Sequence, residues 1–325
     1  MVPQISLLVL LVDLIDVIPS PAGVRTRGRP PTYPDRLFLK ALVVMLVRDV
    51  TTVDGLLAIL GQPTPEMQAL RARLTCDGRF PTRRTWERRL NALPASLPAR
   101  IACLGTYLVA QLHPWADGGA AVAIDSTVLH ARGGVWHKQD REAGVVPHTS
   151  IDTEAHWTKS GWHGWVYGWK LHLVVTVAAV WIPLAAELTP ANAADNETAP
   201  RLLTGLPRAV RFVLGDTHYQ DPALHAHCAA ADRFLVATHR GRYPHTDDGV
   251  EVRRVFHKLR SLAIENFNGQ FKDIFDAHGS VPTRGLVRTQ RFALGAVFVY
   301  QVTLLHRFEH HQDLRVGLKA FLKAA

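Results

Sequence analysis

Ala120-Ala-Val-Ala-Ile-Asp-Ser126 and Ala209-Val-Arg-Phe-Val-Leu-Gly-Asp216 are the stretches whose reading decides the fold. Each is an apolar, partly β-branched run that reads as a buried strand, and each carries an aspartate at or just past its end. A carboxylate so placed is costly to keep charged without a partner. A third acid, Glu265, lies in Leu262-Ala-Ile-Glu-Asn-Phe-Asn-Gly-Gln-Phe-Lys272. There Ile264, Phe267, Phe271 and Ile274 form one apolar helical stripe, and Lys272 follows Glu265 by about two turns. Taken singly, the aspartates are turn or cap residues and Glu265 is a surface charge. Three carboxylates brought together would repel one another unless a divalent cation lay between them, and that points to metal-assisted phosphoryl transfer.

The pattern around these stretches alternates strand and helix. Val166–Val177 and Val180–Leu188 read as a hairpin pair and Ala199–Leu206 as a helix. Ala209–Leu214 is a strand, Pro222–Ala231 a helix and Arg233–Ala237 a strand. Long helices are expected over Lys258–Phe275 and Thr289–His306. Three leading strands followed by alternating helix and strand predict an α/β fold, a ribonuclease H-like mixed sheet flanked by helices. In an open sheet of this kind, ligand sites form beyond the strands' C-terminal ends, where Asp216 sits.

Residues 1–115 read instead as a helical, basic region. Leu37–Val47, Val53–Leu60, Thr85–Leu93 and Leu97–Leu112 carry apolar residues at three- and four-residue spacing. Within Phe80-Pro-Thr-Arg-Arg-Thr-Trp-Glu-Arg-Arg-Leu90, Thr82 is a helix cap, and Trp86, Leu90 and Leu93 form a core stripe. Arg83, Arg84, Arg88 and Arg89 give that helix a basic face. It suits either a groove-reading helix or ordinary solvated charge. Val24-Arg-Thr-Arg-Gly-Arg-Pro-Pro31 is a basic linker, or an arm for an AT-rich minor groove. Residues 116–310 form the catalytic candidate, with a tail over 311–325.

With 325 residues, a net charge of +9 and a pI near 9.8, the chain favours a polyanionic partner. Three dispersed cysteines without a CxxC pair argue against a disulfide framework or structural zinc site and fit a reducing compartment. The first twenty residues are apolar, but they lack a basic leader segment and contain Asp13 and Asp16, which argues against a signal peptide. No apolar run reaches the ~20 residues of a membrane span, so a cytoplasmic protein without membrane contact is expected.

Other clusters are weaker. His225-Ala-His-Cys228 diverges around a helix, and His306 and His310 without an intervening HExxH read as polar-face residues. Trp165 and Trp169 are expected in the core, while Trp157 and Trp162 could pack or stack on bases. No phosphate-binding glycine motif is present.

As a set, these motifs resemble the DDE transposases of bacterial insertion sequences over most of the chain. Besides the acids, the resemblance is carried by Asp152-Thr-Glu-Ala-His-Trp-Thr-Lys-Ser160, Gly164-Trp-Val-Tyr-Gly-Trp-Lys-Leu-His172, Leu188-Thr-Pro-Ala-Asn-Ala-Ala-Asp195 and Gly215-Asp-Thr-His-Tyr219. Arg27-Gly-Arg-Pro-Pro-Thr-Tyr33 and Arg83-Arg-Thr-Trp-Glu-Arg-Arg-Leu90 also fit. Relatives carry Y-x2-R-x3-E-x6-K. Here Glu265 and Lys272 match, whereas Lys258 stands at the Tyr position and Ser261 at the Arg position, with Arg260 one residue away. The 49 residues from Asp216 to Glu265 leave no room for a large inserted domain.

The resemblance implies that Asp125, Asp216 and Glu265 are catalytic and hold two Mg²⁺ or Mn²⁺ ions. Lys272, Arg260, Lys258, Arg83, Arg84, Arg88 and Arg89 are the implied DNA contacts. The implied activity is cleavage and strand transfer at terminal inverted repeats by a homodimer on double-stranded DNA. The alternatives are a degenerate copy that binds DNA without cutting, and a structure-selective nuclease of the same fold.

Overall fold

A computed structural model describes residues 6–22, 32–112, 119–161, 164–237 and 247–325. The Arg-Gly-Arg-Pro linker and Trp162 lie outside the described residues.

Six helices come first: α1 (Leu7–Leu14), α2 (Asp35–Val47), α3 (Val53–Leu60), α4 (Pro65–Arg73), α5 (Arg83–Ala92) and α6 (Leu97–Leu112). Threonine side chains start three of them. Thr52, Thr64 and Thr82 accept from the backbone N–H groups of Gly55, Met67 and Thr85. The apolar N-terminal run is a core helix: Leu8, Val9, Leu11, Val12 and Ile15 are buried, and α1 packs on α2, α4 and α11 (Leu286–Glu309). Its two acids have partners, which explains why they interrupt the run. Asp13 pairs with Arg73 and Asp16 with Lys40. Among the described residues, no single helix is long and apolar enough to cross a membrane.

The second region runs β1 (Ala121–His130), α7 (Lys138–Glu142), β2 (His156–Ser160), β3 (Gly164–Thr176), β4 (Pro183–Pro190), α8 (Asp195–Thr204), β5 (Phe212–Gly215), α9 (Pro222–Ala230), β6 (Phe234–Ala237), α10 (Asp247–Ile274), α11 and α12 (Leu318–Lys323). β3 is antiparallel to β1 on one side. On its other side β2 pairs its first half and β4 its second. β5 then runs parallel to β1, and β6 parallel to β5. The order β4-β3-β1-β5-β6, with three antiparallel strands followed by two parallel to the first, is a ribonuclease H-like mixed sheet. The expected hairpin is β3–β4. β1 extends four residues beyond Ser126, and α10 begins eleven residues before Lys258.

The helical region is docked on this sheet. α6 and α11 pack on β4, and at Gly105 an added Cβ would stand 2.2 Å from the Pro183 carbonyl oxygen, so only glycine lets α6 approach so closely. The buried Gln301 amide donates to the carbonyls of Ile101 (2.9 Å) and Pro183 (2.7 Å), tying α11, α6 and β4 together. α10 crosses β1, β3 and β5, and α8 lies against β3 and β4. The tail over 311–325 contains a packed helix. Leu318 and Leu322 are buried as α12 packs on α10, and Lys319 and Lys323 pair with Asp276.

Candidate active site

Asp125 and Asp216 are set by strand register. β1 and β5 run parallel with Ala123 opposite Leu214. Two residues further along both chains, Asp125 comes level with Asp216, on strands whose axes lie roughly 4.8 Å apart. The backbone at Asp216 remains extended before the chain turns. The turn is tight: a Cβ on Gly215 would lie 2.8 Å from that of Tyr219. Asp216 also caps the turn. One oxygen accepts from the His218 backbone N–H at 2.8 Å, and the other faces His218 Nδ1 at 3.0 Å, an ion pair that raises the imidazole pKa.

α10 supplies the other side. Ile264, Phe267, Phe271 and Ile274 are buried as the stripe requires, and Arg260 continues that stripe one turn earlier. Its guanidinium, itself buried, reaches Asp125 at 3.1 Å and Glu265 at 3.4 Å. Helix phase thus explains why Arg260 rather than residue 261 lies between the acids. Glu265, one position off the stripe, is 59% exposed at its side chain, whereas Asp125 is 22% exposed. Burial pushes Asp125 up to about 6, with Arg260 opposing and the Asp216 charge reinforcing the rise. Among the described residues, Arg260 and the His218 imidazole are the cations in contact with these acids. Lys272, two turns beyond Glu265, is half-buried, and burial lowers its ammonium pKa. Lys258 is exposed.

The three acids therefore do not meet at one point. Asp125 and Asp216 stand side by side, and Glu265 joins them through Arg260. Among the described residues, no three or more His, Cys, Asp or Glu side chains form a closed ligand set. The donor chemistry nevertheless fits a hard divalent cation: oxygen-only ligands, mutually repelling, with a guanidinium as the cation already drawn between them.

The arginines of α5 divide. Arg83 pairs with Asp54 and Glu87, and Arg89 pairs with Asp35 and lies over the Phe38 ring. Arg84 and Arg88 are exposed. Trp86, Leu90 and Leu93 are buried as their spacing predicts. The connection from α4 to α5 spans nine residues and contains a Cys76–Arg79 bridge, longer than the turn of a simple helix-turn-helix.

Two expectations are corrected. Trp165 is 68% exposed near the start of β3, while Trp169 is fully buried. His306 is no polar-face residue: it is buried, stacked on His310 at 4.0 Å between ring centroids. Trp157 packs on Tyr167 and donates to the Trp136 carbonyl. His225 contacts Gln220.

The linear pattern assigned no role to a polar group beneath α8. Lys170 reaches Asp195 at 3.3 Å, and the fully buried His172 lies 3.4 Å from the same carboxylate. By register these β3 side chains share the face of Ser126, opposite that of Asp125. The Lys-x-His alternation in a strand was the available signal, because only that spacing puts both on one face.

The family model of the transposase DDE domain matches residues 117–302. The chain belongs to that family. It is a transposase of the DDE class, and the matched span covers the whole sheet, α10 and most of α11. No curated protein matches the chain in sequence. Among solved structures, a piggyBac transposase synaptic complex with hairpin DNA aligns over 96% of this chain and 74% of that one, at 10% identity and a TM-score of 0.42. A Mos1 transposase paired-end complex with the left transposon end covers 88% and 80%, at 16% identity and a TM-score of 0.23. The Mos1 mariner paired-end complex with Mn gives the same coverages, at 15% identity and a TM-score of 0.22. At such scores these likenesses add nothing to the assignment, which rests on the family match.

Proposed function

We propose that this DDE transposase binds the terminal inverted repeats of an insertion sequence, cleaves the DNA backbone there and joins the freed ends to target DNA. The observation that carries this reading is the pairing of Asp125 and Asp216 on adjacent parallel strands, with Glu265 brought in from α10. Asp125, Asp216 and Glu265 would hold Mg²⁺ or Mn²⁺. When bound, those ions supply an activated attacking oxygen and stabilise the leaving one.

The chain's own side chains set the conditions. The β1–β5 register fixes two carboxylates rigidly, and Arg260 holds Glu265 toward them while offsetting part of their charge. Lys272, on the same helix, serves as a compact point charge for a phosphate oxygen beside the scissile bond, with Lys258 further out along the helix. Arg84 and Arg88 lie free on α5 to meet the backbone of an element end. Two ends must be held together for joining, so a homodimer on double-stranded DNA is part of the proposal, acting in the cytoplasm on the nucleoid.

The test is divalent-dependent nicking of a duplex carrying the inverted repeats that flank the gene. Nicking by the unmutated protein, abolished in Asp125→Ala with binding retained, is the expected result. Binding without nicking would assign a non-cutting copy of the family. Nicking without preference for the ends, and without joining, would assign a structure-selective nuclease.

A further inference from the structure

A second charge imbalance, of opposite sign, lies between the two regions. A cleft of ≈ 670 Å³ is bounded on one side by α3 and α5 and on the other by the chain after β1 and the approach to α11. Five arginines line it: Arg83, Arg132, Arg284, Arg288 and Arg291. Its two acids, Asp54 and Glu87, are both taken by Arg83, leaving a lining charge of 5 − 2 = +3.

Of the remaining four, three hydrogen-bond to neutral carbonyls, and Arg284 also lies near the Asp152 carboxylate. Arg132 donates to the Pro282 carbonyl at 2.6 Å, Arg284 to the Thr149 carbonyl, and Arg291 to the Thr51 carbonyl at 2.9 Å. Arg291 is 5% exposed, and burial followed by the nearby charge of Arg288 pushes it down to about 10. Burying a guanidinium without a carboxylate, beside another cation, is unfavourable unless an anion arrives. The N-terminus of α11 itself is already occupied: Gly285 N–H donates to Asp152 and Leu286 N–H to Glu154. The anion preference therefore comes from the guanidinium groups and not from the helix end.

Position identifies the anion. β1 carries the chain from Asp125 to His130 and Arg132 follows two residues later; seven residues at strand rise place Arg132 at most roughly 24 Å from Asp125. We propose that this cleft grips the sugar-phosphate backbone of the duplex whose strand lies at Asp125 and Asp216, several base pairs from the point of cutting. The cleft thereby makes the helical region and the catalytic sheet two jaws of one DNA track. This inference rests on the transposase reading above.

The experiment is fluorescence anisotropy of the full chain on a terminal-repeat duplex across a salt series. Removing one cation that neutralises a phosphate lowers the slope of log affinity against log salt by about 0.9. Arg284→Ala/Arg288→Ala, both exposed positions, is expected to lower the slope by about 2, while Arg284→Lys/Arg288→Lys keeps it within about half a unit. If the double alanine variant misfolds, Arg288→Gln alone should remove about 1. An unchanged slope in a folded variant would overturn the proposal, as would a lysine pair that weakens the slope as much as the alanine pair. Nicking by the unmutated chain is scored on the same duplex. Nicking with an unchanged slope sinks the cleft and spares the transposase reading, and a lowered slope without nicking does the reverse.

Discussion

The acid site and the arginine cleft are both unbalanced in charge, and the two imbalances have opposite signs. At the first, among the described residues, Arg260 faces Asp125 and Glu265, and Asp216 beside them pairs with His218. At the second, Arg288 and Arg291 crowd a cleft whose two acids are engaged by Arg83. Elsewhere several partly exposed charges are paired: Asp13 with Arg73, Asp16 with Lys40, and Asp276 with Lys319 and Lys323. Burial without a carboxylate is not by itself the mark of a ligand site, because the buried Arg233 rests on the Leu203 and Leu206 carbonyls; what sets the cleft apart is several guanidinium groups crowded together. Cations are expected at one site and a polyanion at the other.

The sharpest way to break this comparison is Asp125→Asn. Nicking should fall by at least ~10³-fold, since the proposed function makes Asp125 both a catalytic carboxylate and a metal ligand. Stability should move the opposite way. The folded pKa of Asp125 is raised to about 6 from an ordinary value of 3.8, so its charged form opposes folding at neutral pH and the penalty fades as pH falls through that window. Chemical denaturation at pH 7.5 should find the Asn variant more stable by on the order of 1 kcal/mol, with the gain gone near pH 4. A less stable variant at pH 7.5 would show that the site is not short of positive charge.

Arg260→Ala probes the same imbalance from its other partner. Removing one member of a largely buried ion pair should cost ~2–4 kcal/mol at pH 7.5. The loss should shrink toward pH 5, where Asp125 can protonate. Adding Asp125→Asn should recover most of it, and a double-mutant cycle reads the coupling directly.

The scaffold's own pH response should be separable. Burial lowers His306 from 6.5 to about 4. Between those values the unfolded chain binds the extra proton, so stability is full above pH 6.5 and is lost as pH falls toward 4. Denaturation midpoints should show a loss of roughly 1 kcal/mol by pH 5.5 that His306→Leu removes. The smallest effect is expected at α5. Arg84→Ala/Arg88→Ala should weaken end binding several-fold and lower the salt slope by about 1–2, and an unchanged slope would assign that helix to scaffold.

The sequence made the sheet legible because burial on both faces leaves continuous apolar strands, and Asp125 and Asp216 stood out against them. The stripe of α10 was equally readable, since Ile264, Phe267 and Phe271 repeat at helical spacing. What the linear pattern could not show was which cation the stripe would carry to the acids. Arg260 lies on the buried face by phase; the family spacing places the Arg position at 261, and the resemblance gives Arg260 as a DNA contact, whereas the fold sets its guanidinium against Asp125 and Glu265. The arginine cleft was not readable at all. Its members come from α5, the end of β1 and the start of α11, and only docking through Gly105 and Gln301 brings these segments together. α1 was obscured for a related reason: the partners of Asp13 and Asp16 lie far along the chain.

The most direct test is a crystal of the chain with a terminal-repeat duplex and Mn²⁺, read in an anomalous difference map. Manganese between Asp125 and Asp216, with Arg260 drawn off Asp125, is the expected result. A map without manganese there, with the guanidinium still joining Asp125 to Glu265 on bound DNA, would contradict the assignment of these acids as a metal site.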